Sequence, residues 1–342
     1  MSKMNATKKL LSVAVAGYNV EKTLRETLNP FLNCHGIEKL EVIIVNDGSS
    51  DNTSAIAQEY VQMCPDVFTV INKENGGWGS TINSGIRAAR GKYFKQLDGD
   101  DYFNSRNLDN LLHQMAKTDA DLVITPYIEF DDRTGNQMSV HSCNPGCKQR
   151  KKYNISSIKQ FKPFMHAVCI KTELIKESVQ ITEHCFYTDT EFVLKALNQA
   201  STVMFFDKVI YCYRRASSGQ SMSLSGFEKH YNEQFLVIQE LIRYREQYVN
   251  RAEIVKMYDE LLFSTCMWHY LVLLYLKPTV QHKKSLIEFD DLLKEKAPAY
   301  YEKTDIGTIQ KLRKTKFLGY CVAAPIKKRK DNRFTSDGRM LY

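Results

Sequence analysis

Residues 92–103 read Lys-Tyr-Phe-Lys-Gln-Leu-Asp-Gly-Asp-Asp-Tyr-Phe, an apolar run that ends in three carboxylates, Asp98, Asp100 and Asp101, with Gly99 among them. Acids this close repel one another, and a fold tolerates the repulsion when a cation or a donor-rich ligand sits among them. Other polar groups follow apolar runs in the same way. Gly17 and Tyr18 follow residues 11–16, Asp47 follows 40–45, and Asn75-Gly76-Gly77-Trp78-Gly79 follows 67–71. The glycine-rich loop lacks the Gly-Lys-Ser/Thr of a Walker loop, but it opens a helical pattern, and helix N-termini favour anions. Asp189, in Tyr187-Thr188-Asp189-Thr190-Glu191-Phe192, stands at the head of another helical pattern. There it suits either proton transfer or helix capping.

The elements that would position these groups alternate between strand and helix. Strand-like runs fall at 11–16, 40–45, 67–71, 93–97 and 120–128, with helices near 21–32, 53–63, 80–90 and 105–117. Pro30 is expected to end or kink the first helix near Asn29. Such alternation predicts an α/β fold, a mainly parallel sheet with helices on both faces, and ligands collect beyond the carboxyl ends of its strands. The acids and the glycine loop should therefore meet on one edge. A polar excursion covers 131–165, apolar residues return at 167–170, a helix is expected over 189–198, and strand-like pieces follow at 202–206 and 209–213. From about 227 to 297 the pattern is helical. Its most apolar stretch, 261–276, is too short and too polar for a membrane span; it reads as a buried helix, with an interfacial helix as the alternative.

The composition, 43% hydrophobic and 25% charged over 342 residues, excludes disorder as the main state. Nine cysteines are scattered; Cys143 and Cys147 lie near His141, but no second pair completes a zinc signature, so reduced cytoplasmic thiols are expected. The net charge of +8 belongs to residues 306–342, which hold ten Lys/Arg and two Asp/Glu, while the rest carries 37 of each sign. That basic end suits an anionic membrane surface or a solvated tail. A neutral body without a recognition motif argues against nucleic acid.

Three segments in order, AVAGYN (14–19), EVIIVNDGSSDNT (41–53) and NGGWGSTINSGIRAARGKYFKQLDGDDYF (75–103), resemble the family 2 glycosyltransferases of GT-A fold. The likeness runs from about 11 to 130, with weaker signals to 220. It implies a catalytic domain over 1–222, with a nucleotide-sugar half to about 130 and an acceptor half beyond. A helical region over 223–305 and the basic tail, 306–342, would follow. It implies an inverting transfer from a nucleotide-diphosphate sugar, with UDP favoured, to a surface glycan or lipid-linked acceptor at the inner face of the cell membrane. Mn2+ or Mg2+ would be bound by Asp98 and Asp100, with Asp101 in support. Gly17 and Tyr18 would pack on the base and Asp47 would hold it; Asn75, Gly76, Gly77 and Gly99 would lie by the nucleotide. Arg214 or Arg215 would clamp the diphosphate, Gln220 would sit nearby, and Asp189 would be the general base, with Glu191 the alternative. Two departures are visible: Thr81-Ile82-Asn83 where many members have Ala-Arg-Asn, and Thr188 in place of the usual Glu. A nucleotidyltransferase and an inactive binding subunit remain as rival readings.

Overall fold

Strands buried on both faces need no polar alternation, and the opening strands follow that rule. The computed structural model describes residues 8–159, 161–215 and 223–330. In chain order the first part comprises β1 (Leu11–Gly17), α1 (Leu24–Leu32), β2 (Leu40–Asp47), α2 (Thr53–Met63), β3 (Phe68–Lys73), α3 (Gly77–Ala88) and β4 (Tyr93–Asp98). Then come β5 (Tyr102–Phe103), α4 (Ser105–Lys117), β6 (Leu122–Ile124), β7 (Tyr127–Asp131), β8 (Gln137–His141) and β9 (Lys152–Asn154). It ends with β10 (Val168–Lys171), α5 (Thr172–Ile175), α6 (Asp189–Gln199), β11 (Thr202–Phe205) and β12 (Tyr211–Arg215). Every residue of β2 is buried.

An eight-stranded sheet runs in the order β3-β2-β1-β4-β10-β6-β11-β9. Its first four strands are parallel, so Gly17, Asp47 and Asp98 end on one edge. β10 enters antiparallel between β4 and β6. A second sheet, β5-β12-β7-β8, takes up the segment after the acids.

Two expectations need correction here. The first helix does not stop at Asn29, because α1 runs to Leu32 with Pro30 inside it. The ring removes one amide donor, while the buried face of Leu24, Thr27, Leu28 and Phe31 holds the short helix together. The run 120–128 is two strands in two sheets, β6 and β7, separated at Thr125-Pro126. Proline cannot donate to a ladder and restricts the residue before it.

Residues Met1–Arg215 form one compact unit and Ala216–Tyr342 a second. The second contains α7 (Leu224–Tyr248), α8 (Ala252–Tyr275), α9 (Val280–Lys296), α10 (Pro298–Lys303), α11 (Gly307–Lys314) and α12 (Tyr320–Lys330). The apolar stretch 261–276 forms the end of α8 and its cap, Leu276, and buries Leu262, Cys266, Tyr270 and Leu273. Its His269 is buried too, bonded through Nδ1 to Gln234 Oε1 at 2.9 Å. Among the described residues no helix is long and apolar enough to cross a membrane. The basic stretch expected to be a tail supplies α11 and α12, and Ile309, Leu312, Phe317, Tyr320 and Ala324 are buried. Arg313 is no surface charge: it donates to Asp290 Oδ1 at 2.8 Å, to Thr304 Oγ1 at 2.9 Å and to Tyr301 O at 2.9 Å. Residues 331–342 lie outside the described residues.

Candidate active site

The acids after β4 close into a tight turn, in which Asp101 N donates to Asp98 O at 3.1 Å. The turn brings the fourth residue, rather than the third, back beside the first. Asp101 is then fixed by β12, accepting from Tyr211 Oη at 2.6 Å and from Arg214 N at 2.7 Å. Asp98 accepts from Trp78 Nε1, on the first turn of α3, at 2.7 Å. Gly99 ties the turn to its neighbours: its N–H donates to Ala16 O at 2.9 Å, and its carbonyl accepts from Thr23 and Thr27, each at 2.9 Å.

Burial, then the charges of Asp100 and Asp189, pushes the Asp98 carboxyl up to about 7. Burial followed by Asp100 and Asp98 holds Asp101 well above the carboxylate range, and burial also raises Asp100. A cation here would relieve all three groups. Ligand atoms of Asp98, Asp101 and His166 lie within 4.8 Å of one another, the one group of this kind among the described residues. It differs from the Asp98–Asp100 pair expected from the sequence, because the turn places Asp101 beside Asp98.

Asp189 is the first residue of α6, with Thr188 at the cap position, and its carboxyl is raised by burial. Trp78 links α6 to the β4 edge, bonding Asp98 and touching Phe192. Phe192, one turn on, meets Trp78 and Phe94 edge-on at centroid distances of 6.3 and 6.2 Å. Glu191, the alternative base, is fully buried and pairs with Lys195 Nζ at 2.7 Å. It also accepts from Thr182 N and Oγ1 at 3.2 Å. It therefore anchors the segment before α6 instead of facing a ligand.

Asp47 has a job the sequence did not suggest. Its Oδ1 accepts from Lys73 Nζ at 2.6 Å, Gly76 N at 2.9 Å and Ser80 Oγ at 3.2 Å, and its Oδ2 accepts from Gly77 N at 2.8 Å. Asn75 Nδ2 reaches the Asp47 carbonyl at 3.0 Å. The anion at the N-terminus of α3 is thus the chain's own carboxylate. The glycines serve close packing as well: a Cβ on Gly79 would stand 2.1 Å from Thr182 O, and Gly77 has φ +79°. Ile82, at the position where many members have arginine, is fully buried, and the next residue, Asn83, bonds both ways with Ile181 at 2.8 Å. The loop at 75–79 therefore carries the segment that delivers Asp189.

Arg214 is engaged with acceptors of the protein itself. Its guanidinium donates to Asp100 O, within the acidic turn, at 2.5 Å, to Glu26 Oε2 at 2.5 Å and to Asp132 Oδ1. Arg215 is buried as well, its Nε 4.0 Å from Glu129. Gly17 packs against Thr53 and Val45, while Tyr18 is 54% exposed at the same edge. Gln220 lies outside the described residues.

His166 and Trp78 were missed by sequence reasoning. A large donor side chain inside a glycine turn was the signal for Trp78; His166, 68 positions from Asp98, offered none. Several buried polar atoms have no hydrogen-bond partner among the described residues: both amide atoms of Gln96, both ring nitrogens of His166 and the Thr188 hydroxyl. Native interiors seldom leave such atoms unmet unless water, an ion or a ligand satisfies them.

Residues 12–175 match the glycosyl transferase family 2 model. This segment belongs to glycosyl transferase family 2. The glycosyltransferase domain is 38% identical over 149 residues to the putative glycosyltransferase EpsH of Bacillus subtilis, covering 43% of this chain and 42% of EpsH. It is 29% identical over 220 residues to the minor teichoic acid biosynthesis protein GgaB of the same organism, covering 61% of this chain and 23% of GgaB. The matched regions thus span less than two thirds of these relatives. S. aureus TarS 1–349, solved with UDP-GlcNAc, superposes with a TM-score of 0.68 at 19% identity over 95% of this chain and 94% of that one. The fold is GT-A.

Proposed function

We propose that the chain is an inverting glycosyltransferase that moves a sugar from a nucleotide-diphosphate donor, UDP-linked, to a hydroxyl of a surface glycan or lipid-linked acceptor. The observation that carries this is that Trp78 joins two acids from different elements: its indole donates to Asp98 of β4 at 2.7 Å and meets Phe192 of α6, the helix that Asp189 heads, at a centroid distance of 6.3 Å. Asp189 takes the acceptor hydroxyl's proton as that oxygen attacks the anomeric carbon opposite the diphosphate. Burial raises its affinity for a proton, which suits a base. The carboxylates of the β4 turn suit a hard divalent cation, Mn2+ or Mg2+, which when bound neutralises charge on the leaving diphosphate. Tyr18 offers an exposed ring for stacking on the base. The name of GgaB and the donor seen with TarS support the surface-glycan acceptor and the UDP-sugar. The domain works at the inner face of the membrane, and residues 131–215 shape the acceptor side.

Asp189→Asn tests the reading. UDP release from UDP-sugars should fall by about 10²–10⁴-fold with folding unchanged. Unchanged turnover removes Asp189 as the base.

A further inference from the structure

The antiparallel register of β10 on β4 pairs Ile170 with Phe94 and Lys171 with Tyr93. His166 lies just before the start of β10, and its ring reaches Asp98 at the far end of β4. The histidine lies in the short 3-10 turn Met165–Ala167 that leads into the strand. Its backbone is pinned by Lys95, a fully buried lysine whose Nζ donates to His166 O at 2.6 Å. Its ring is walled by Tyr127, Tyr211 and Tyr213 at centroid distances of 4.9, 4.8 and 4.4 Å. Held this firmly, the ring still leaves both nitrogens buried and without a hydrogen-bond partner among the described residues. An imidazole that served packing alone would carry the desolvation cost of two polar atoms without return, and a phenyl ring would do better.

We propose that His166 is a ligand of the divalent cation, completing a site with Asp98 and Asp101. The proposal rests on the glycosyltransferase reading and names the residues that hold its cation. One ligand atom from each residue already lies within 4.8 Å of the others. In an octahedral site with bonds near 2.1 Å, neighbouring ligands stand about 3 Å apart and opposite ones about 4.2 Å. The three groups need only a small contraction. Asp101 keeps a free lone pair on each oxygen beside the bonds from Tyr211 and Arg214. Neutral imidazole, which offers a lone pair on one ring nitrogen, is the ligating form. A nitrogen ligand also biases the site toward a transition ion such as Mn2+ over Mg2+.

The test uses the full chain with Mn2+ and UDP, and reads electron spin echo modulation from ¹⁴N bound directly to the metal. Wild type should show an imidazole nitrogen. His166→Gln and His166→Phe should lose it and bind Mn2+ at least about tenfold more weakly. The phenylalanine preserves the aromatic packing, so a thermal midpoint near wild type shows that folding is intact. Mn2+ bound with UDP but without ¹⁴N coupling overturns the inference and leaves the glycosyltransferase reading standing, as does wild-type affinity in His166→Phe. Mn2+ that fails to bind wild type even with UDP overturns the inference together with the metal part of that reading.

Discussion

Asp98 illustrates how a single side chain ties stability to function. Its folded pKa of about 7 lies above the ordinary 3.8, so between those values the folded chain keeps a proton that the unfolded chain has lost. Its contribution to stability is whole below about pH 4 and is lost as pH rises through 7. In metal-free buffer, Asp98→Asn should flatten the stability profile over that window. Above pH 7 it should gain ~2 kcal/mol, allowing for partial solvent access. Thermal melts across pH with a chelator present check this; an unchanged slope would clear Asp98 of the effect. Glu191→Gln should behave differently from Asp189→Asn. It leaves Lys195 without its carboxylate inside the fold and destabilises by about 3 kcal/mol, yet the pH–rate profile at a permissive temperature keeps its shape. The acidic turn and the head of α6 were legible because their residue types and order carry the chemistry. The partners of Asp47 and Arg214 were not, since hydrogen bonds to residues 26–188 positions away leave no local pattern.

At the scale of elements, α3 does two jobs through one loop. Its first turn is capped by Asp47, and its glycines let residues 181–185 approach closely. Gly79→Ala would force a methyl group against Thr182 O, 2.1 Å away, and overpacking of that kind costs about 1–3 kcal/mol. UDP release should fall along with the thermal midpoint, because the displaced segment leads to Asp189. A variant that melts earlier but turns over normally would separate the loop from the site. The strands of the parallel half were readable as continuous apolar runs. The antiparallel entry of β10 was not, because a four-residue strand after a polar excursion carries no sign of which neighbours it will take.

At the scale of the whole molecule, the excess positive charge and the fold pull on the same segment. The sequence presents 306–342 as a detachable basic end, but deleting it would remove Arg313 and strand Asp290, which is 5% exposed. Membrane contact is better tested by replacing Lys327, Lys328, Arg329 and Lys330 with Gln in the intact chain. Flotation with anionic vesicles should then weaken, by about 1 kcal/mol for each charge removed near the surface; equal flotation would dismiss this cluster. The buried Asp290–Tyr270–Arg313 cluster has a consequence for synthesis. Asp290 must wait, uncompensated, for a guanidinium 23 positions later. While the nascent chain is still short of Arg313, the second unit cannot reach its final packing, so a premature stop before that codon should leave a polypeptide for the cell's proteases.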